Sequence, residues 1–273
     1  MERYRAGQWS IEVERGRLLR SDETLTLNRQ TGIKIPQTFY GNSFVSFKNT
    51  DLGFNYFISS EAALQLCEPE LRNEKLYREG NLLHDHINIV PRPIKNPSLN
   101  LNTNGTRTDW TFSTPYKGSL RPVYPRKDLP ENVIFQISND NLPLHRLGQD
   151  NPILWSSELK FYEDSLEEIG VSTFYMRVRA MQDCFYALLR CYVRINHSLV
   201  RILDTRIFHE FESNKILREF QFREGSFDEI NANGFEFSPD WYSNSRQSDI
   251  IFQYLPVKML FKDSIIYNEN NKN

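Results

Sequence analysis

The sequence predicts an α+β protein: a sandwich-like core of antiparallel β-sheet, one long amphipathic helix packed on it, and shorter helices at the periphery. Three observations lead there. Period-two alternation of apolar and polar residues runs from Ser172 to Arg223. Aromatic residues make up 13% of the chain, with Phe and Tyr far outnumbering Trp. An apolar stripe at helical spacing comes just before the alternating run. Alternation is the mark of a half-buried strand, and aromatic and β-branched side chains suit a pleated surface.

Taken in chain order, Phe44-Val45-Ser46-Phe47 and Phe54 to Ile58 flank Asn49-Thr50-Asp51 and read as a hairpin. Ser60 then caps a short helix over 61–67, which Pro69 ends. The stretch 68–107 carries several Pro and Asn residues and reads as a long surface excursion. Val133, Phe135 and Ile137 alternate as a further strand. Asn151-Pro152 supplies an N-cap and a Pro at the first helical position, and Gly170 supplies a stop. Between them Trp155, Leu159, Tyr162, Leu166 and Ile169 recur at steps of four and three, which places them on one helix face. Glu163, Asp164, Glu167 and Glu168 fall largely off that stripe and give an acidic outer surface. Such a helix of about 18 residues spans about 27 Å, enough to cover a sheet.

The strands follow. Phe174, Met176, Val178 and Ala180 point one way, while Tyr175, Arg177 and Arg179 point the other. Phe185, Ala187, Leu189, Cys191, Val193 and Ile195 form the next apolar row, with Arg190 and Arg194 opposite. Asn196-His197 reads as a two-residue turn. That register pairs Ile195 with Ser198, puts Tyr192 opposite Arg201 and Leu189 opposite Asp204, and so leaves an acid on an apolar row. Ile216 to Arg223 is a fourth strand, on which Phe220 and Phe222 share a face with Ile216 and Arg218. With no low-complexity linker, repeat or composition break, residues 1–267 read as one domain, followed by a polar tail over 268–273.

Composition narrows the function. A net charge of −2 argues against nucleic acid and anionic membrane as partners. Arg177, Arg179, Arg190, Arg194 and Arg201, interleaved with Tyr175, Tyr186 and Tyr192, are too few for a strong counterion-release footprint. Met1-Glu2-Arg3-Tyr4 leads into no apolar run, and no stretch approaches the roughly 20 apolar residues that span a bilayer, so a cytoplasmic protein is expected. Cys67, Cys184 and Cys191 form no CxxC pair, lie in apolar surroundings and fit buried reduced thiols. Asn104-Gly105-Thr106 and Asn196-His197-Ser198 match the glycosylation pattern by chance in such a protein.

Catalytic chemistry is sparse. There is no Gly-rich phosphate loop, GxSxG or HExxH. His84-Asp85-His86 is the one dense ligand cluster. It lacks a third ligand at a recognisable spacing, so it reads as a surface loop. A β-rich metal-dependent hydrolase using His84, His86 and an acid is the competing reading; the preferred one is a non-catalytic chain with no metal and no cofactor. Asp204-Thr205-Arg206 has two readings. One is a structural ion pair, since buried charges need partners. The other is a polar cleft floor whose Arg fork receives a partner's carboxylate.

Several blocks, in order, resemble one family. Phe161-Tyr162-Glu163-Asp164-Ser165-Leu166 ending at Gly170 is similar to its aromatic-Glu-Asp-x-Leu block. Met176 to Met181, Cys184 to Arg190 and Val193-Arg194-Ile195 resemble its central strands. Leu199 to Arg206, followed by His209-Glu210, is the most specific piece, and Leu217-Arg218-Glu219-Phe220 with Arg223-Glu224 continues it. Trp110 to Gly118 and Gln253 to Lys258 resemble two further blocks. The family is TIPRL, the TOR signalling pathway regulator-like proteins. The resemblance implies a monomer that binds the catalytic subunit of type 2A-like serine/threonine phosphatases and its acidic C-terminal tail, restraining phosphatase activity or assembly in TOR signalling. It also implies a partner surface containing Asp204, with Glu61, Leu142 and Ile202 aligned to other members of it. Arg206 and Phe220 are expected to give the groove its donors and its aromatic wall. Ile202 stands where the family commonly has Met, and Glu61 where it has Asp.

Overall fold

The computed structural model describes residues 1–67, 108–120, 133–148, 151–244 and 246–267. His84, His86, the excursion over 68–107, the Asn104 acceptor pattern and the tail over 268–273 lie outside the described residues. The first half contributes β1 (Glu2–Ala6), β2 (Trp9–Glu14), α1 (Ser21–Thr31), β3 (Thr38–Phe39), β4 (Phe44–Asn49), β5 (Phe54–Ser59), α2 (Ser60–Gln65), β6 (Ser119–Leu120) and β7 (Val133–Ile137). The second half contributes β8 (Trp155–Asp164), β9 (Gly170–Ala180), β10 (Cys184–Ile195), β11 (Leu199–Glu210), β12 (Lys215–Ser226), α3 (Phe227–Ala232), α4 (Gln247–Ile251) and β13 (Val257–Tyr267).

These strands form two antiparallel sheets. The small one runs β1-β2-β4-β5-β6 and the large one β3-β8-β9-β10-β11-β12-β13-β7. Their inner faces carry the alternating apolar rows, so Trp9, Ile11, Val45, Phe47, Tyr56 and Ile58 of one sheet share a buried core with Phe174, Met176, Phe185, Leu189 and Ile207 of the other. Ring pairs mark the contact: Phe47 stacks on Phe185 at 4.6 Å, and Trp9 meets His209 at 4.2 Å. The expected hairpin and the strand at 133–137 are present, and the short helix starts one residue early, with Ser59 as its cap. All three cysteines are buried, and none forms a disulfide.

The long amphipathic helix is corrected. Residues Trp155–Asp164 are strand β8, paired along its length with β9. Ser157, Leu159 and Phe161 alternate inward, and a bulge between Lys160 and Tyr162 then turns Tyr162 inward as well. A strand with one bulge thus reproduces a step of three between apolar residues, which in sequence imitates a helix. Gly170 is no helix stop either. It opens β9, where a Cβ would lie 2.1 Å from the Arg194 carbonyl oxygen.

The register of β10 and β11 is also corrected. The turn holds three residues, Asn196 to Ser198, with His197 at φ 57°, and Ile195 pairs with Leu199. This one-residue slip moves Asp204 from the apolar row to the outer face, opposite Arg190, with Tyr192 opposite Ile202.

Between β8 and β9 the chain makes a left-handed turn, with Leu166, Glu167 and Glu168 at φ 49°, 59° and 70°. Each such L-residue costs about 1–2 kcal/mol. The turn is held by the Leu166 N–H donating to Asp164 Oδ1 at 2.7 Å and by burial of the Leu166 side chain. Glu167→Gly is therefore expected to be neutral or stabilising by up to about 1 kcal/mol, and Glu167→Val to cost about 1–2 kcal/mol. Equal melting temperatures for the two variants would contradict the left-handed turn.

His209 lies fully buried beneath Trp9, with Nδ1 3.0 Å from the Lys215 carbonyl. Burial lowers its pKa to about 4. The unfolded chain titrates near 6.5 and so binds the proton first on acidification, which makes folding stability fall as pH drops through that window. Between pH 7 and pH 5 the loss from this one group should be about 2 kcal/mol. Denaturant titrations at both pH values should show it, and His209→Asn should remove most of the difference. An unchanged pH dependence in the variant would refute the assignment.

Candidate functional site

The large sheet has its inner face against the small sheet, so its outer face is the surface on which Asp204 sits. Cross-strand pairing lays this face out in rows. One row reads Arg177, Leu188, Arg206, Glu219, Lys262. The next reads Tyr175, Arg190, Asp204, Gln221, Leu260. The third reads Thr173, Tyr192, Ile202, Arg223, Val257. Rows on one face stand two residues apart, about 7 Å.

Apolar clusters close both ends of this strip. At one end Tyr192, Val200 and Ile202 are covered by the chain after β12: Ile230 of α3, then Phe235, Trp241, Ile251 and Leu255. That cover starts at a capping box in which Ser226 Oγ accepts from the Glu229 N–H and Glu229 Oε2 accepts from the Ser226 N–H. At the other end Leu142 packs with Met181, Cys184, Tyr186 and Phe208, and the Tyr186 hydroxyl donates to the Pro143 carbonyl at 2.7 Å.

The polar strip between them centres on Asp204, which has no exposed surface. Arg190 grips it with two bonds, Nε to Oδ1 at 2.6 Å and Nη2 to Oδ2 at 2.7 Å. Burial alone would lower the Arg190 pKa, but the Asp204 carboxylate outweighs it and raises the value above the ordinary range. The remaining Arg190 nitrogen donates to Asp249 Oδ1 at 2.9 Å, and Arg177 donates to Asp249 Oδ2 at 2.7 Å. One carboxylate on α4 therefore clamps that helix to two strands.

Arg206 is looser. Its Nη1 lies 3.4 Å from Glu219 Oε1, its Nη2 lies 3.7 Å from Asp204 Oδ2, and about a fifth of its side chain is exposed. Phe252, which follows α4, sits among three guanidiniums, with ring-centroid distances of 4.2 Å to Arg223, 4.7 Å to Arg206 and 5.0 Å to Arg190. Guanidinium stacking on an aromatic face leaves the in-plane N–H edges directed outward.

The residues expected from sequence separate into three places. Leu142, Ile202, Asp204 and Arg206 share the outer face of the large sheet. Glu61 stands on the other outer face, where it accepts from the Asn42 N–H and lines a depression of about 330 Å³ with Lys48, Asn55 and Ser59. Phe220 pairs with Thr205 and faces the interior, 2% exposed, so it cannot wall a groove with Arg206. Its ring lies 4.1 Å from the buried Lys117 Nζ, whose pKa burial pushes well below the usual lysine range. Phe252 supplies the aromatic wall instead. Sequence reasoning missed Phe252, Arg223 and Asp249. The alternation of β12 places Arg223 opposite Phe222, but nothing local reports that α4 folds back over β9 and β10 and carries Phe252 to β11 and β12. Among the described residues no three His, Cys, Asp or Glu side chains are grouped to hold a metal ion, and no helix is long and apolar enough to cross a membrane.

Relatives share this sequence across nearly its whole length. A TIP41-like protein from Dictyostelium discoideum is 26% identical over 270 residues, covering 97% of this chain and 93% of its own. The human TIP41-like protein is 24% identical over 271 residues, covering 96% and 89%. The type 2A phosphatase activator TIP41 of Saccharomyces cerevisiae is 26% identical over 262 residues, covering 91% and 70%. The family model described as TIP41-like matches residues 38–231, a span that takes in Glu61, Leu142, Asp204, Arg206 and Arg223. The chain belongs to the TIP41-like family.

Proposed function

We propose that this protein is a non-catalytic regulator that binds the catalytic subunit of type 2A-like serine/threonine phosphatases, including its C-terminal tail, as a cytoplasmic monomer in TOR signalling. The observation that carries the reading is the strip itself: a half-buried Arg206 beside an aromatic ring, on a floor set by a buried carboxylate. Such a surface suits an extended peptide with acidic and apolar side chains. The names of the Saccharomyces cerevisiae relative and of one from Schizosaccharomyces pombe, both type 2A phosphatase activators, support a phosphatase as the partner. They speak of activation where the family resemblance implies restraint. Both outcomes begin with the same binding step.

In this reading Arg206 touches the partner, while Asp204 holds Arg190 and Arg206 in place. Leu142 and Ile202 set the apolar ends of the strip. Phe220 acts from within by fixing β12. Glu61, on the opposite outer face, contacts a partner broad enough to reach round the sandwich.

Titration of purified type 2A catalytic subunit with this protein tests the reading, with phosphatase activity followed in the same samples. Arg206→Gln should weaken binding at least about tenfold, equivalent to about 1.4 kcal/mol, and leave the melting temperature nearly unchanged. Asp204→Asn should lower affinity and stability together, by on the order of 3 kcal/mol in stability, because it leaves Arg190 buried without its carboxylate. Folded wild-type protein that fails to bind the catalytic subunit at micromolar concentration would overturn the proposal.

A further inference from the structure

The turns at one end of the sandwich enclose a cavity of about 990 Å³. It lies where the β1–β2, β4–β5, β9–β10 and β11–β12 turns meet, past the end of the large sheet at which Leu142 packs on Met181 and Cys184. Three carboxylates line it, those of Asp183, Glu210 and Glu212, and among the described residues no Lys, Arg or His does. Arg146 reaches two of them from outside, donating to Asp183 Oδ2 and, at 2.5 Å, to Glu210 Oε1. Glu212 is exposed and makes no hydrogen bond or ion pair among the described residues. The wall is therefore left with two negative charges unmatched.

The acids are held in position. Tyr267, 2% exposed, pins the β11–β12 turn, its N–H donating to the Asn214 carbonyl at 3.0 Å and its hydroxyl to the Ser213 carbonyl at 2.5 Å. The Phe211 N–H donates to the Asp183 carbonyl at 2.9 Å and ties that turn to its neighbour. A separate observation points to the ligand. Asn49, 4% exposed, uses its Oδ1 to accept from the Asp51 and Leu52 N–H groups, both at 3.2 Å. Its Nδ2 makes no hydrogen bond among the described residues and opens into the cavity. A free donor beside unmatched carboxylates calls for an acceptor and a cation on one ligand, which a peptide carbonyl next to a basic side chain provides. Phe211 and Leu52, both partly buried, suit the aliphatic stem of such a side chain.

We infer that this cavity is a receptor for a basic segment of a partner protein, with Lys or Arg side chains against Glu210 and Glu212 and a main-chain carbonyl accepting from Asn49 Nδ2. Two adjacent basic residues neutralise the wall. The receptor stands apart from the function proposed above, because it uses none of the strip residues and takes a ligand of the opposite charge.

The test uses the full chain and calorimetric titration at fixed ionic strength. Acetyl-Ala-Lys-Arg-Ala-amide is compared with its Gln-Gln and Glu-Glu counterparts and with spermidine. The Lys-Arg peptide should bind at least about tenfold more tightly than the Gln-Gln peptide and more tightly than spermidine, and the Glu-Glu peptide should not bind. Glu212→Lys, at a side chain without a partner, should keep the melting temperature and cut the Lys-Arg peptide affinity at least about tenfold. Glu236→Lys makes the same change in net charge at an exposed residue beside Phe235, at the far end of the large sheet, and should leave the affinity nearly unchanged. In ¹⁵N-labelled protein the Asn49 side-chain amide signal, assigned by its loss in Asn49→Asp, should shift with the Lys-Arg peptide and stay in place with spermidine. Equal binding of the Lys-Arg and Gln-Gln peptides, binding of the Glu-Glu peptide, or equal losses in Glu212→Lys and Glu236→Lys would each overturn the receptor. Spermidine matching the Lys-Arg peptide, or an Asn49 signal unmoved by that peptide, would overturn its assignment to a peptide.

Discussion

The outer face of the large sheet depends on one buried ion pair, Arg190 with Asp204. Removing two charges from water costs several kcal/mol for each ion, and only near-ideal geometry offsets it. The two bonds at 2.6 and 2.7 Å meet that demand, and Asp249 and Ser248 accept from the guanidinium nitrogen left over. The pair also fixes the register of β10 against β11. A slip by one residue would turn Asp204 into the sandwich core, opposite Leu189 and away from Arg190.

From that pair the rest of the face follows. Asp249 is drawn to Arg190 and Arg177, which places α4 on the sheet, and the chain leaving α4 delivers Phe252 above the arginines. The apolar clusters around Ile202 and Leu142 then exclude water from the two ends while the middle stays half open. Burial of inner-face aromatics such as Trp9, Phe47 and Phe185 holds the two sheets together. The outer face can therefore carry loosely satisfied arginines, whose cost the sandwich core offsets.

Much of this was legible in the sequence, and the failures have physical causes. Alternation in β9 to β12 gave the strands, and in β9 and β10 it gave the apolar rows and the outward direction of Arg177, Arg190 and Arg194. The hairpin of β4 and β5 was equally plain. The segment Trp155 to Asp164 was not, because a bulge adds one residue to a period of two and yields the spacing of a helix. Asn196-His197 suggested a two-residue turn, yet a third residue enters it, and the side of the sheet on which Asp204 lies changes with that residue. Phe220 was expected to wall a groove with Arg206, but alternation across the pair β11 and β12 puts them on opposite faces. Phe252 and Asp249 reach the site through tertiary packing, for which no local pattern exists.

The claim that the Arg190–Asp204 pair organises a binding face, rather than merely stabilising the sheet, is tested most directly by replacing both members together. The double variant Arg190→Met with Asp204→Leu removes the charges and keeps approximate volume, a type of exchange that is often neutral or stabilising for folding. Thermal unfolding and affinity for type 2A catalytic subunit are then measured on one preparation. The account requires a folded protein of near wild-type stability whose affinity has fallen at least about tenfold, because Asp249, Phe252 and Arg206 have lost their common anchor. A double variant that is equally stable and binds with wild-type affinity would contradict it.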